Sequence, residues 1–261
     1  MKTEFSLVLI SALDVERQMT LRDVRNEHGV RKWMYSDHLI DVNEHLSWLA
    51  GLQQNSQQHT FAILDGNGLP LGVVSVSSID SKNLKADWAF YLTESARGGL
   101  GAAIEFRFLD FVFEVLKIEK LNCEVISGNN AVIKIHKKFL FKEEGVRESN
   151  VIKDGIRKDV LLLGLAKNNW LSGRSMVYDK YGSVLDKFLI SIDSSFLLQK
   201  DKNPIDLIQA ARAKNNLNWM SVLRLALEKS PVAATEIVSE IRKLDKEISV
   251  LTDQLLEEMP R

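Results

Sequence analysis

A glycine-rich turn in the middle of the chain has the residue types and spacing of an anion-binding site. The run Ala96-Arg97-Gly98-Gly99-Leu100-Gly101 follows an apolar, strand-like segment and opens a long, apolar, helix-like segment. Glycines allow positive φ and close approach of the backbone, while the free N–H groups and dipole of a helix N-terminus attract negative charge. The turn therefore predicts a phosphate site, with an ordinary tight turn as the alternative.

The segments around this turn predict a mixed α/β fold. Short apolar, β-branched runs indicate strands, and Asp65-Gly66-Asn67-Gly68 and Asp154-Gly155 are typical of hairpin turns. Strands are predicted over residues 5–12, 61–79 and 142–165 (the last two as hairpins), 85–92 and 121–126, with helices over 15–35, 43–52, 96–118 and 129–139. The turn follows the fourth strand and no βαβ unit surrounds it, which disfavours a dinucleotide fingerprint.

Composition limits the class of partner and the location of the protein. The chain has 261 residues, of which 34 are basic and 35 acidic, together with five scattered histidines and a single cysteine, Cys123. The balanced charge argues against a nucleic-acid partner, and the histidines and cysteine lack metal-ligand spacing. No apolar run approaches the roughly 20 residues of a membrane span, and residues 5–13 suit a strand better than a signal core. We expect a cytoplasmic protein without a metal or a membrane partner.

The composition changes after Trp170, which places a predicted domain boundary near residue 168. Residues 1–168 would form the α/β domain and residues 169–261 a mainly helical C-terminal extension of unknown role. A seam of apolar residues with alternating four-three spacing supports helix there: Ile237, Ile241, Leu244, Ile248, Leu251 and Leu255. We expect this seam to pack against preceding helices of the same chain, with a homodimer or a partner protein as the alternatives.

The order of the segments in residues 3–167 resembles one protein family. The strand ending in DWAFYL, the turn ARGGLGAA with its helix, and the later segments LNCEVISGN and NNAVIKIHKKFLFKEEG are similar to the GCN5-related N-acetyltransferase (GNAT) superfamily. The resemblance implies a mixed, largely antiparallel central sheet flanked by helices. It also implies acetyl-CoA as co-substrate, with the CoA pyrophosphate on the glycine turn.

The same resemblance implies a set of acetyl-CoA contacts. The strand before the turn would bind the pantetheine arm through its backbone, and the turn would bind the pyrophosphate. The implied contacts are Phe90, Tyr91, Leu92, Arg97, Gly98, Gly99, Gly101, Ala102 and Asn129. The family's turn usually begins with Gln or Arg, whereas Ala96 holds that place here with Arg97 beside it.

Three catalytic candidates also follow from the resemblance. The family's general acid is usually a tyrosine, and His136 stands at the matching position. Glu124 would take the amine proton through a water, and Ser75 could hold that water or the acceptor. Backbone N–H groups of residues 90–92 could bind the thioester oxygen. The alternatives are a surface histidine for His136, a solvated carboxylate for Glu124 and an ordinary strand hydroxyl for Ser75.

A narrower resemblance concerns the acceptor. The segments RNEHGVRKWMYSD, DWAFYL and IRKDVLLLGL are similar to the acetyltransferases of pseudaminic acid biosynthesis, which acetylate the 4-amino group of a UDP-linked amino-dideoxy-sugar used in flagellin glycosylation. The implied nucleotide-sugar contacts are Arg25, Trp33, Met34, Tyr35 and Trp88. Two alternatives stay open: a GNAT enzyme for a protein N-terminus or ribosomal protein, and a catalytically weak scaffold whose helical tail binds a partner.

Overall fold

The computed structural model describes residues 2–199, 220, 222–240 and 243–244. The chain forms two compact units, Met1–Asp193 and Ser194–Arg261. In the second unit, residues 195–199 form a 3₁₀ helix and residues 222–229 and 231–240 are helical on either side of Ser230. The predicted seam is described only at Ile237 and Leu244, while Ile241, Ile248, Leu251 and Leu255 lie outside the described residues.

One eight-stranded sheet forms the frame of the first unit. Its strands are β1 (Thr3–Leu9), β2 (His59–Asp65), β3 (Pro70–Asp80), β4 (Lys85–Leu92), β5 (Lys120–Ile126), β6 (Lys142–Lys153), β7 (Ile156–Ala166) and β8 (Phe188–Ile192). Their spatial order is β6-β7-β5-β4-β3-β2-β1-β8, and two of the seven pairings in this sheet, β1 with β8 and β4 with β5, are parallel. The expected mixed, largely antiparallel sheet is therefore confirmed.

Six α-helices accompany these strands in the first unit. They are α1 (Val15–Asn26), α2 (His28–Arg31), α3 (Val42–Gln54), α4 (Leu100–Asp110), α5 (Asn130–Lys138) and α6 (Lys167–Leu185). The long predicted helix after the glycine turn begins at Leu100 and continues beyond Asp110 as a π-helical turn, Phe111–Val115. Both predicted hairpins are present, since Asp65 ends β2 just before β3 and Asp154-Gly155 joins β6 to β7.

The core lies on both faces of the sheet at the interior strand β2. Ala62 and Leu64 face Leu21 of α1 and Leu49 of α3, whereas the alternate residue Phe61 packs edge-on against aromatic rings of α4 and its π turn. The phenylalanines of that segment are all at most 5% exposed: Phe106, Phe108, Phe111 and Phe113. Helix α4 is thereby fixed on the sheet, and its N-terminus is held beside the end of β4.

Residues beyond the predicted boundary at 168 belong to the same compact unit. Helix α6 starts at Lys167, and β8 adds a parallel strand along the free edge of β1. Trp170 of α6 is fully buried and donates from Nε1 to Asp110 of α4 at 3.0 Å, while Arg174 makes two bonds of 2.7 Å to the same carboxylate. These contacts carry the first unit to Asp193, so the composition change at Trp170 does not mark its end.

Candidate active site

The two parallel strands in the middle of the sheet separate toward their C-terminal ends. β4 pairs with β5 only from Lys85 to Asp87, whereas β3 accompanies β4 to Leu92 and β7 accompanies β5 to Ile126. In the sheet as described, the backbone of residues 88–92 therefore has no ladder partner on the β5 side. A cavity of about 690 Å³ opens at this gap. Unpaired backbone groups in such a gap are ready to hydrogen-bond an extended ligand.

Every predicted acetyl-CoA contact lies on the wall of this cavity. The shared lining residues are Phe90, Tyr91, Leu92, Arg97, Gly98, Gly99, Gly101, Ala102 and Asn129. Gly98 and Gly99 have φ of +126° and +105°, which L side chains rarely adopt. Gly99 is the N-cap of α4 and no side chain of the described residues caps that terminus, so its first N–H groups stay available for an anion.

Arg97 fixes the turn to the helix opposite it. Its Nη2 donates to the carbonyl oxygen of Gly29 at 3.1 Å, and its Nη1 lies 3.8 Å from Glu94. Glu27 completes this junction by accepting from the Thr93 hydroxyl at 2.6 Å and from the Glu94 backbone at 3.0 Å. The guanidinium is half exposed and lines the cavity, so it joins α2 to the turn and still brings positive charge to the site.

His136 is a buried residue of the cavity wall, which differs from the surface-histidine alternative. Its ring is 3% exposed and packs against Trp88, Phe90 and Phe141, with centroid distances of 5.2, 6.2 and 5.3 Å. Its Nδ1 lies 2.8 Å from Oε1 of Glu105, which is fully buried on α4. Glu105 is not among the predicted site residues, although a carboxylate within the apolar run LGAAIEFRFLD is a recognisable signal.

Glu124 lines the cavity and already has two partners. Tyr35 donates its phenolic hydroxyl to Oε2, and Arg147 of β6 donates from Nη1 to Oε1. Burial and the bond to Glu124 raise the pKa of Tyr35 to about 12, so the phenol remains a donor at neutral pH. Arg147 has no local sequence signal, because its approach to Glu124 follows from strand pairing across β7 and not from local spacing.

Ser75 and Trp88 lie on the neighbouring strands β3 and β4, close to the same wall, with Ser75 paired to Ala89 and Trp88 paired to Val76. Both line the cavity. Ser75 donates its hydroxyl to the Ala89 carbonyl oxygen, at 3.5 Å. Trp88 is 2% exposed and stacks on Phe90, Phe108 and Phe141 at 5.3 to 6.0 Å, so its indole contributes a rigid aromatic surface.

The predicted acceptor contacts between Arg25 and Tyr35 fall into two groups, those that line the same cavity and those that lie behind its wall. Trp33 and Met34 line the cavity, and the Trp33 indole lies next to the backbone of Gly128, where an added Cβ would be 3.7 Å from the ring. Arg25 and Tyr35 are not lining residues. Arg25 stabilises this segment by donating to the Ser36 carbonyl oxygen at 2.8 Å. Tyr35 contacts the cavity wall through its hydrogen bond to Glu124.

The chain matches the family model described as Acetyltransferase (GNAT) domain over residues 7–142, just over half of its length. It belongs to the GNAT acetyltransferase family. Acetyl transfer is therefore its enzyme class. The matched residues include the separated strands β4 and β5, the glycine turn, Glu124 and His136, whereas α6 and β8 lie beyond the match.

Two curated relatives resemble this GNAT chain weakly. Acetyltransferase PseH of Campylobacter jejuni (serotype O:2) is 25% identical over 117 residues, which cover 45% of this chain and 71% of PseH. The SPbeta prophage-derived uncharacterized N-acetyltransferase YokL of Bacillus subtilis is 24% identical over 168 residues, 63% of this chain and 86% of YokL. Both names are those of acetyltransferases, and neither level of identity carries a substrate across.

Among solved structures, the fold is similar to spermidine N-acetyltransferase from Vibrio cholerae in complex with CoA and spermine. The TM-score is 0.59 at 17% identity, covering 64% of this chain and 98% of that one. This likeness supports the GNAT fold alone. Within the described residues, no helix is long and apolar enough to cross a membrane, and no group of three or more His, Cys, Asp or Glu side chains is arranged to hold a metal ion.

Proposed function

We propose that this enzyme transfers the acetyl group of acetyl-CoA directly to the 4-amino group of a UDP-linked amino-deoxy-sugar in nonulosonic (pseudaminic) acid biosynthesis. The observation that carries the proposal is one cavity with the glycine turn in one part of its wall and Trp33 and Met34 in another. A donor bound at the turn and an acceptor bound at the tryptophan would meet in that space. The similarity to Acetyltransferase PseH supports the same class of acceptor.

Basic side chains around the acceptor segment support a negatively charged substrate. Arg25 and Arg31 donate to backbone carbonyl oxygens of Ser36 and Asp37, and Lys153 donates to that of Tyr35 at 3.2 Å. These cations surround the segment that carries Trp33 and Met34, so their positive charge favours an anionic substrate in the cavity.

The fit of acetyl-CoA to the other wall rests on backbone chemistry. The turn gives an uncapped helix N-terminus, two glycines at positive φ and the Arg97 cation, which suits a pyrophosphate. The unpaired edge of residues 88–92 suits the amide-containing pantetheine arm. In this proposal, backbone N–H groups of residues 90–92 bind the thioester oxygen. When bound, acetyl-CoA supplies the activated acetyl group, and every other function comes from the protein.

The proposed proton transfers use Glu124 and His136. Glu124 accepts the proton of the attacking amine through a water, while Tyr35 and Arg147 keep its carboxylate in place. The carbon–nitrogen bond forms as the carbon–sulfur bond breaks, and His136 supplies a proton to the departing sulfur. Ser75 positions the water or the sugar, as the resemblance implies.

A polyamine acceptor is less consistent with this cavity. A cationic chain of amines needs several free carboxylates along its path. Of the described lining residues, Glu124 is the sole carboxylate exposed to the cavity, and it is already paired with Arg147. The likeness in fold to spermidine acetyltransferases therefore does not extend to a matching charge pattern.

The proposal is tested by measuring thiol release from acetyl-CoA with a panel of acceptors. We expect turnover with UDP-4-amino-sugars, and little or none with spermidine or with peptides that have a free N-terminus. UDP alone at about 100 times its dissociation constant should stabilise the fold by about 2.7 kcal/mol, while a peptide should not.

Two results would decide against the sugar. Preferential turnover of a peptide or ribosomal protein would establish the alternative acceptor within the same family. Failure to bind acetyl-CoA would instead support a scaffold whose helical second unit binds a partner protein.

A further inference from the structure

Helix α4 carries a carboxylate that has no place in the proposed chemistry so far. The Glu105 side chain is fully buried, between Ile104 and Phe106 in the sequence, and each of these neighbours is at most 3% exposed. An anion in such surroundings is costly unless it is hydrogen-bonded or paired. The position therefore requires a partner, and the partner should be sought at the cavity wall that α4 supports.

That partner is His136 of α5. The 2.8 Å bond joins Glu105 Oε1 to His136 Nδ1, and three aromatic rings close around the imidazole. Because Nδ1 is engaged with the carboxylate, Nε2 is the ring nitrogen left to meet a ligand in the cavity that His136 lines. A carboxylate on one nitrogen fixes the tautomer and stabilises positive charge on the ring.

The charges around this pair come from several elements. Burial raises the pKa of Glu105, and His136 opposes that rise. Cys123 of β5 interacts electrostatically with Glu105, but burial also raises the pKa of its thiol, so it stays neutral. On α5 itself, Lys137 is paired with Glu143 at 2.8 Å, and Lys138 lies over the Tyr181 ring. Glu105 is therefore the acidic side chain in direct contact with the imidazole.

We propose that Glu105 is a positioning residue, which holds His136 with an Nε2–H directed at the leaving sulfur. This inference rests on the proposed function. As the amine nitrogen bonds to the acetyl carbon and the carbon–sulfur bond breaks, the electron pair passes to sulfur. The sulfur takes the Nε2 proton. The imidazolium becomes a neutral imidazole, and its Nδ1–H remains hydrogen-bonded to Glu105. Solvent then restores the proton through the cavity.

This arrangement explains how a histidine can occupy the position of an acid. An unpaired histidine is mostly neutral at pH 7, with a reference pKa of about 6.5, and lacks the proton to donate. The carboxyl group of Glu105, 2.8 Å from Nδ1, holds the ring in one orientation and compensates positive charge on it. The two members of the pair must therefore be tested together.

The central test is Glu105→Gln, because glutamine keeps the shape and a hydrogen-bonding oxygen but removes the charge. We expect kcat to fall by about tenfold or more, with KM for acetyl-CoA within about twofold of wild type. Asp110→Asn is the matched control on the same helix: it breaks the link to Arg174 and lowers stability, while kcat and KM for acetyl-CoA stay near wild type.

A double variant separates positioning from structural support. His136→Phe should itself lower kcat by about tenfold or more with little change in KM for acetyl-CoA. Adding Glu105→Gln to His136→Phe should not lower kcat further, because the imidazole that Glu105 positions is already absent. Independent, additive losses would overturn the inference. If Glu105→Gln fails to fold, Glu105→Asp keeps the charge but shortens its reach, and a kcat equal to wild type there would also overturn it.

NMR of the His136 ring keeps this inference separate from the identity of the acceptor. The ring nitrogen signals of His136, identified by their loss in His136→Phe, should differ between wild type and Glu105→Gln at neutral pH, because the hydrogen bond at Nδ1 changes. Identical ring signals would contradict the Glu105 role even in a fully active sugar acetyltransferase. Changed ring signals in an enzyme that acetylates no UDP-amino-sugar would support the pair and reject the proposed acceptor.

Discussion

At the scale of single residues, Trp33 has the most direct link to the acceptor. Its indole is half buried, lines the cavity and lies against the backbone of Gly128, at the junction of β5 and α5. A flat aromatic ring in that place can stack on a base or a sugar ring. Lys32, whose ammonium lies 5.6 Å from the indole centroid, adds positive charge nearby.

Replacing this ring should affect one substrate and not the other. We expect Trp33→Ala to raise KM for the UDP-amino-sugar by about tenfold, which corresponds to about 1.4 kcal/mol, and to leave KM for acetyl-CoA unchanged. Trp48→Ala is the control, since Trp48 is a partly exposed tryptophan of α3 outside the cavity lining. Equal increases in both KM values would show that Trp33 supports the fold and does not bind the acceptor.

Residues of local motifs can be recognised from sequence more easily than their partners in the fold. Gly98 and Gly99 are recognisable because the glycine turn is a run of consecutive residues. The contact of Glu105 with His136 joins residues that are 31 positions apart in the sequence, and it depends on how α4 lies on the sheet. Distances of this kind follow from tertiary packing, which periodicity does not encode.

At the scale of elements, the end of β4 and the start of α4 act together. The strand ends with an unpaired edge, and the helix begins with an uncapped terminus after two glycines at positive φ. On the far side of the turn, a Cβ at Gly99 would come within 2.9 Å of Val184 in α6. The turn is therefore supported by a helix that lies outside the residues matched by the family model.

Gly98 offers a clean test of this turn. At Gly98, with φ of +126°, no described heavy atom lies within 4 Å of an added Cβ, so Gly98→Ala introduces backbone strain without a clash inside the protein. We expect acetyl-CoA affinity, measured by calorimetry, to fall by about tenfold or more, because the strained turn no longer holds its N–H groups toward the pyrophosphate.

The matched control is Gly155→Ala, in the β6–β7 hairpin. Gly155 also has positive φ, +74°, and equally open surroundings, but it is not a lining residue of the cavity. Its replacement should cost about 1 kcal/mol of stability and leave acetyl-CoA affinity unchanged. Similar affinities for the two variants would remove the turn from donor binding.

Most elements could be predicted, because their signals are local. The hairpins at Asp65 and Asp154 and the helix after the glycine turn follow from turn chemistry and apolar patterning. The strand β8 was not predicted: it has five residues, and its partner is β1, at the other end of the unit. A strand this short becomes recognisable only when the structure shows that β1 has a free edge with which it can pair.

At the scale of the whole molecule, α6 and β8 extend the first unit to Asp193. Trp170 is fully buried against Phe106 and Phe139, and β8 covers the edge of β1. The residues matched by the family model are therefore fewer than those needed for a complete sheet and core. The second unit begins only at Ser194.

Two truncated chains test this limit. A chain ending at residue 193 should melt within a few degrees of the full protein and should still bind acetyl-CoA. A chain ending at 168 loses Trp170, which is worth about 3–5 kcal/mol in a core, and its melting temperature should fall by about 10 °C or more. Equal melting temperatures and acetyl-CoA affinities would place the end of the unit at the earlier boundary.

The parallel pairing of β1 with β8 also determines how late in translation the sheet can be completed. β1 is made before the other strands of this unit, yet its outer edge stays unpaired until residues 188–192 have been made. At typical translation rates of about 5–20 residues per second, that interval is about 10 to 40 s. During it, each nascent chain presents an open strand edge to its neighbours on the same messenger RNA. The last strand of the unit is therefore the step that ends its exposure to misassembly.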